Sequence, residues 1–343
     1  MALIGMNVQH DANHGAASRK VWVNDILGLG ADFIGGCKWL WMEKHWTVSF
    51  LMFCILCGVV GAPISRDILH LGISLQHHTY TNHKSRDPDG FSAEPMILFN
   101  DYELGSTKRS WVHAFQGFYL IFVLAGYWLS AAFNLFEVWD LKDRGAQHVG
   151  VNFDGNMWIA RRAKYAFALR LLHLGTNVVA PLVVNGFSWT TLNHINVLGI
   201  SGSLALGMLF TLSHNFENVD RDPIATAERL AKKENKGTQN SDLDTRACWF
   251  RAQVETSSTY GGMISGWLTG GLNFQVEHHL FPRMSSSWYP YIAPTVRRIC
   301  AKHNVQYVYY PWIWENMIST LRYTHAVGNA SHWKNHNPLK GEL

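Results

Sequence analysis

The chain has 343 residues, a net charge of +4, 48% hydrophobic and 13% aromatic content and 15 Trp, yet its mean hydropathy is only −0.05. That mixture fits membrane segments alternating with polar lobes and argues against a compact soluble enzyme. No block of Lys or Arg resembles a nucleic-acid-binding arm, so no nucleic-acid partner is expected. Five Cys give no disulfide framework, whereas the 18 His, many of them clustered, are the informative excess.

Residues 1–8 lack the basic segment and long apolar run of a secretory signal. They read as the tail of a membrane helix, which predicts an N-terminally truncated chain. Cys54 and Cys57 form a C-x-x-C inside an apolar run; that setting raises thiol pKa values, so they are expected to be inert filler. Three later stretches are long and apolar enough to cross a bilayer. Residues 115–136 are apolar and aromatic. Residues 165–184 are apolar but interrupted by Arg170, His173 and Asn177. Residues 195–213 are rich in Gly, Leu and Ile, with small residues suited to close helix packing. A short turn holding Trp189 joins the last two, predicting a helical hairpin. Residues 218–246 are polar and charged and predict a solvated, mobile loop. Residues 285–333 mix aromatic and basic side chains and predict an interfacial or cytosolic cap. No internal repeat is present. The expected fold is all-α: one domain over residues 1–343, a polytopic membrane helical bundle with a cytosolic helical cap that carries a His-rich metal site.

The histidines fall into four places. In His10-Asp-Ala-Asn-His14 the two imidazoles are four residues apart, so on a helix both reach one metal position. His77 and His78 open His-His-Thr-Tyr-Thr-Asn82, with His45 upstream. Gln275-Val-Glu-His278-His279-Leu-Phe-Pro282 supplies another adjacent pair, and His214 closes the cleanest apolar segment. Imidazole suits iron, copper and zinc alike. Ionisable groups near a bilayer are costly unless they pair or bind something, and metal coordination removes that cost. A lone His near an apolar face is more often hydrogen-bonded or interfacial than a ligand. That reading applies to His70, His113, His148, His173, His194, His303 and His325. Three clusters in one chain, two with adjacent His pairs, point to metal.

The His10–His14 box, the His-His-Thr-Tyr-Thr-Asn segment followed by Asp87-Pro-Asp89, and the Gln275–Pro282 box together resemble the front-end fatty acyl desaturases, over nearly the whole chain. The resemblance leans toward the delta-5 and delta-6 enzymes of microalgae. It implies a non-haem di-iron centre held by His10, His14, His45, His77, His78, His214, His278 and His279. Gln275, which stands where the wider family has His, looks like a ligand or a direct neighbour of the irons. Asp11, Asn215 and Glu277 are candidates to orient imidazoles from behind, with helix capping or solvation as the plain alternative. The resemblance further implies O₂ as co-substrate and an acyl chain on CoA or phospholipid. Electrons would come from cytochrome b5 and its reductase, and the chain would be integral to the endoplasmic reticulum membrane with its iron site facing the cytosol. Relatives often carry the haem domain at the N-terminus, marked by His-Pro-Gly-Gly, a motif that does not occur here.

One departure concerns the second box, which the family writes H-x-x-H-H. Ser74 stands three residues before His77, so the box is broken as written. Removing residues 48–76 joins His45-Trp-Thr47 to His77-His78 and restores it. The removed stretch begins Val-Ser and ends in Gln, which GTG-AGT and CAG can encode, the borders of an ordinary intron. Residues 48–76 are therefore expected to be an in-frame retained intron; the plain alternative is an apolar insertion. His78 and His214 must face one side, so an even number of crossings separates them. Residues 115–136 are accordingly assigned as interfacial or re-entrant. Two other functions remain open at this point: a related lipid hydroxylase, and a non-catalytic membrane protein whose interrupted box holds no metal. A zinc-dependent hydrolase fits less well, because too many His cluster for a three-ligand site.

Overall fold

The computed structural model describes residues 2–33, 38, 77–78, 81–82, 87–91, 93, 95–100, 109–133, 165, 167–220 and 245–330. His45, Cys54, Cys57, residues 48–76 and most of 218–246 lie outside them. The described residues are mostly helical. Near the N-terminus, α1 (Ala2–Asn13) is followed by α2 (Val21–Gly28) and the single turn α3 (Gly30–Phe33). Then come α4 (Gln116–Phe133), α5 (Phe167–Asn185) and α6 (Trp189–His214). The C-terminal part holds α7 (Thr245–Glu255), β1 (Ser258–Tyr260), α8 (Gly262–Thr269), α9 (Gln275–Leu280), α10 (Tyr289–Lys302), β2 (Val308–Tyr310) and α11 (Ile313–Gly328).

Three segments, Trp111–Leu129, α5 and α6, are long and apolar enough to cross a membrane. Their large side chains point outward, among them Phe118, Phe122, Val183, Val184, Trp189 and Leu198, as expected where lipid replaces water. The helical hairpin predicted from the sequence is present. Gly186 has φ 77° between α5 and α6, and the Ser188 hydroxyl caps α6 by accepting from the Thr191 amide. The polar interruption of α5 falls beside a single π turn, Gly175–Val179. Against α6, α4 packs antiparallel: Leu124 meets Gly207, Trp128 meets Gly199, and the Ser203 hydroxyl donates to the Leu124 carbonyl. Whether residues 115–136 return to the same side depends on the chain past Phe133, outside the described residues.

The cap is held by small apolar clusters. Val254, Val276, Val296 and Cys300 join α7, α9 and α10, while Leu209, Leu212, Tyr260 and Leu272 join the end of α6 to β1. The two strands pair in parallel, Thr259 opposite Tyr309. Each fully buried aliphatic side chain in these clusters contributes about 1.5–3 kcal/mol. The Val276 cluster holds α9 against α7 and α10.

Candidate metal centre

Four separate stretches converge here. α1 ends at Asn13, and Gly15 turns the chain with φ 73° immediately after His14. His10 and His14 thus project from one face at the helix end, as their spacing predicts. His214 is the last residue of α6. The Gly270–Gly271 turn, where both φ values are positive, redirects the chain into α9, so that His278 and His279 follow within one helix. His77 and His78 arrive on a short turn whose Asn82 adopts φ 58°, a conformation Asn tolerates better than most residues. The Asn82 side chain donates to the carbonyls of His214 (2.9 Å) and Thr256 (3.3 Å), tying this turn to the end of α6.

His10, His14, His77, His78, His214, His278 and His279 are all buried. They form two triads, His10–His14–His278 and His77–His214–His279, whose ligand atoms lie within 4.8 Å of one another. His78 stands between the triads, with ring centroids 4.4 Å from His279, 4.8 Å from His278 and 5.2 Å from His14. The facing Nε2 atoms of His214 and His279 are 3.1 Å apart. Two imidazoles bound about 2.1 Å from one metal at right angles would hold their nitrogens about 3 Å apart, so the spacing suits a shared ion. Gln275 brings its side-chain amide to 3.1 Å from the same His214 nitrogen.

Burial, followed by the field of neighbouring imidazoles, pushes His14, His78, His278 and His279 well below the ordinary histidine pKa. They are neutral and keep a lone pair for a metal. For His77, burial pushes the same way, but the Asp87 and Asp89 carboxylates outweigh it and raise the group to about 9. The His77 Nδ1 lies 3.0 Å from Asp87 Oδ1 and 3.3 Å from Asp89 Oδ2. A buried, all-imidazole donor set suits a transition-metal ion, and the four neutral rings fit one as they stand, while His77 would release its proton on binding.

The supporting residues behave differently from one another. Asp11 Oδ1 stands 3.9 Å from His10 Nδ1, while its Oδ2 accepts from the Ser286 amide and hydroxyl, both 2.9 Å. Asp11 therefore fastens α1 to the loop after α9. Asn215 donates to the Thr211 carbonyl, capping α6. Glu277 turns its carboxylate to Tyr307 (2.7 Å) and Thr259 (3.0 Å), bracing α9 against the strand pair; burial raises its pKa. The expected imidazole partner of Glu277 is replaced by these two hydroxyls because its side chain leaves α9 on the strand-facing side. His45 lies outside the described residues. Sequence reasoning missed the groups behind the second triad. Asp87 stood in the Asp-Pro-Asp motif without a role, while Gln253 and Thr256 carried no signal at all. The lone-His reading holds for His113, whose Nε2 reaches the Pro95 carbonyl at 2.9 Å.

Beside the imidazoles lies a small cavity, with room for about one water molecule, lined by His10, His77, Gln275, Ser213, Leu209, Phe210 and Leu272. Leu209 and Phe210 in this lining belong to α6, a helix long enough to cross a bilayer.

Residues 50–311 match the fatty acid desaturase family model. The chain is 33% identical over 333 residues to the acyl-lipid (7-3)-desaturase of Rebecca salina, covering 95% of this chain and 62% of that protein. It is 32% identical to the acyl-lipid (7-3)-desaturase of Diacronema lutheri, covering 95% and 61%. With the Delta(5) fatty acid desaturase A of Dictyostelium discoideum it shares 27% identity over 96% and 61%. The chain thus spans about three fifths of the length of these curated relatives. No solved structure matches it. Convergent buried imidazoles, apolar spans and these matches agree: the chain belongs to the fatty acid desaturase family.

Proposed function

We propose that this protein is a front-end fatty acyl desaturase, introducing a cis double bond into a polyunsaturated acyl chain between an existing double bond and the carboxyl end. The observation that carries the reading is the meeting of two buried imidazole triads at the end of a helix long enough to cross a bilayer. Two iron ions are the proposed metals, held by His10, His14, His77, His78, His214, His278 and His279, with His45 and Gln275 completing the set. Bound iron supplies the activation of O₂ and the removal of hydrogen from unactivated methylenes, chemistry beyond side-chain acids and bases. The chain's own residues do the positioning. Leu209, Phe210 and Leu272 offer methylenes an apolar surface, and the neutral imidazoles of His14, His78, His278 and His279 keep a lone pair for the metal.

Electrons come, in this reading, from cytochrome b5 and its reductase. The names of the Rebecca salina and Diacronema lutheri proteins support an acyl-lipid substrate. An endoplasmic reticulum membrane with the centre on the cytosolic face follows from the same reading. Residues 48–76 are proposed to be a retained intron, because their removal restores His45-Trp-Thr-His77-His78.

The test is expression in yeast supplied with defined polyunsaturated acids, with and without residues 48–76, followed by mass-spectrometric location of new double bonds. A new bond on the carboxyl side of an existing one is expected. Hydroxylated products, or iron-loaded protein yielding no product, would overturn the assignment.

A further inference from the structure

The short helix α8 carries its apolar side chains on the face turned away from the protein. Met263, Ile264, Trp267 and Leu268 share one face, because positions four residues apart fall one above the other. Ile264 is 76% exposed and Trp267 84%. The inner face is made of small residues, with Gly266 and Thr269 buried. A surface helix in water does the reverse, turning large apolar residues to the core and polar ones to solvent. No charged residue and no histidine occurs between Glu255 and Glu277, so this stretch has no charge to solvate.

The orientation is built in. A Cβ at Gly266 would stand 2.8 Å from the Phe274 ring, so glycine is what lets α8 lie so close. The Thr269 hydroxyl lies 2.8 Å from the Ser265 carbonyl and 3.1 Å from Asn273 Oδ1, while the Asn273 amide donates to the Gly262 carbonyl at 3.0 Å. Asn273 thus ties both ends of the helix together. The flanks of α8 set its level against the spans. Tyr260 before it and Leu272 after it share one cluster with Leu209 and Leu212 of α6. α6 has 26 residues, about 39 Å at 1.5 Å per residue, which exceeds the roughly 30 Å of bilayer hydrocarbon. Its last turns therefore stand at headgroup level, and α8 lies beside them.

We infer that α8 lies in the surface of the bilayer that the spans cross, with Met263, Ile264, Trp267 and Leu268 sunk among phospholipid acyl chains. A large apolar face laid in the headgroup boundary is how such helices bind membranes, and Trp is suited to that depth. The lack of charge means that zwitterionic lipid suffices. The Gly270–Gly271 turn leads from α8 towards α9, so the lipid-held helix sets the depth of His278 and His279. The inference rests on the spans crossing a bilayer and is independent of the reaction proposed above.

The test uses the unsubstituted full chain in nanodiscs of phosphatidylcholine, part of it carrying a diazirine on the acyl chain. Illumination attaches the lipid to whichever side chains touch hydrocarbon, and peptide mass spectrometry locates the adducts. Adducts on Met263, Ile264, Trp267 or Leu268 are expected at a yield comparable with Leu198 on α6, and severalfold above Arg298 and Lys302 on α10. Labelled α6 with α8 at the level of Arg298 and Lys302 overturns the inference and leaves the spans intact. Two chains per nanodisc by native mass spectrometry would then assign the face to a second copy. No adduct on α6 either overturns the spans and the inference together.

Discussion

Tyr307 and Thr259 both donate to Glu277, one residue before the His278–His279 pair, so the Gln275–Pro282 box is held by one hydroxyl from β1 and one from the residue preceding β2. Tyr307→Phe removes one donor from a buried carboxylate whose pKa burial already raises. It should cost about 1–3 kcal/mol, the penalty for an unsatisfied buried group. A lower midpoint for thermal unfolding in detergent is the expected reading, and an unchanged midpoint would show that water replaces the hydroxyl. The imidazoles themselves were legible in the sequence, because His10–His14 and His278–His279 are set by local helix geometry alone. What backs them was not. Gln253 lies 26 residues from His279, and a glutamine in a helix with no periodic partner carries no sign of where it points. Thr256 acts through its carbonyl, which every residue possesses.

At the level of elements, the spans were visible as apolar runs, yet their ends were not. Residues 195–213 mark only the apolar part of α6, which begins at Trp189 because the Ser188 cap and a first turn of Thr190, Thr191 and Asn193 are polar. Nor could hydropathy reveal that Gly199 and Gly207 are the contact points with α4. A Cβ added at Gly199 would collide with the Trp128 indole. Gly199→Ala should therefore destabilise the pair by about 1–3 kcal/mol, as overpacking does, and Trp128→Ala in the same chain should recover part of that loss. A Gly199→Ala protein as stable as the parent would mean that the helices slide apart freely. Another element-level contact is pH-dependent. Burial raises Asp32 in α3 to about 6, against the opposing fields of Lys38 and of Arg170 on α5. A carboxyl raised in the fold favours the native state while protonated. Its contribution is thus complete below the ordinary Asp pKa of about 3.9 and lost as pH rises through 6. Across that window the parent should lose stability relative to Asp32→Asn, and above it the two should run parallel. Unfolding midpoints measured at intervals of pH would reveal a missing difference.

Across the whole molecule, the centre draws its imidazoles from α1, the turn at 77–82, the end of α6 and α9, while Asp11 binds Ser286 across 275 residues of chain. Metal bound by such distant segments is also a cross-link of the fold. Removal of metal by a chelator should lower the unfolding midpoint, and re-addition should restore it; a midpoint indifferent to metal would deny the ions any role in holding the cap to the spans. The same logic bears on residues 48–76. If His45 belongs to the centre, the chain from His45 to His77 must begin and end at one place, and the two intervening residues of an H-x-x-H turn accomplish this with almost no loop to close. A long insertion adds closure entropy that grows slowly with length, about 0.6 kcal/mol per doubling, and loses the fixed i, i+3 relation of the two rings on one helix face. Deletion of residues 48–76 should then raise both iron per chain and thermal stability, and His45→Ala should reverse the gain in iron in the shortened chain alone. If the full-length chain loads iron as well as the shortened one, and His45→Ala changes neither, residues 48–76 are a true insertion and His45 is no ligand.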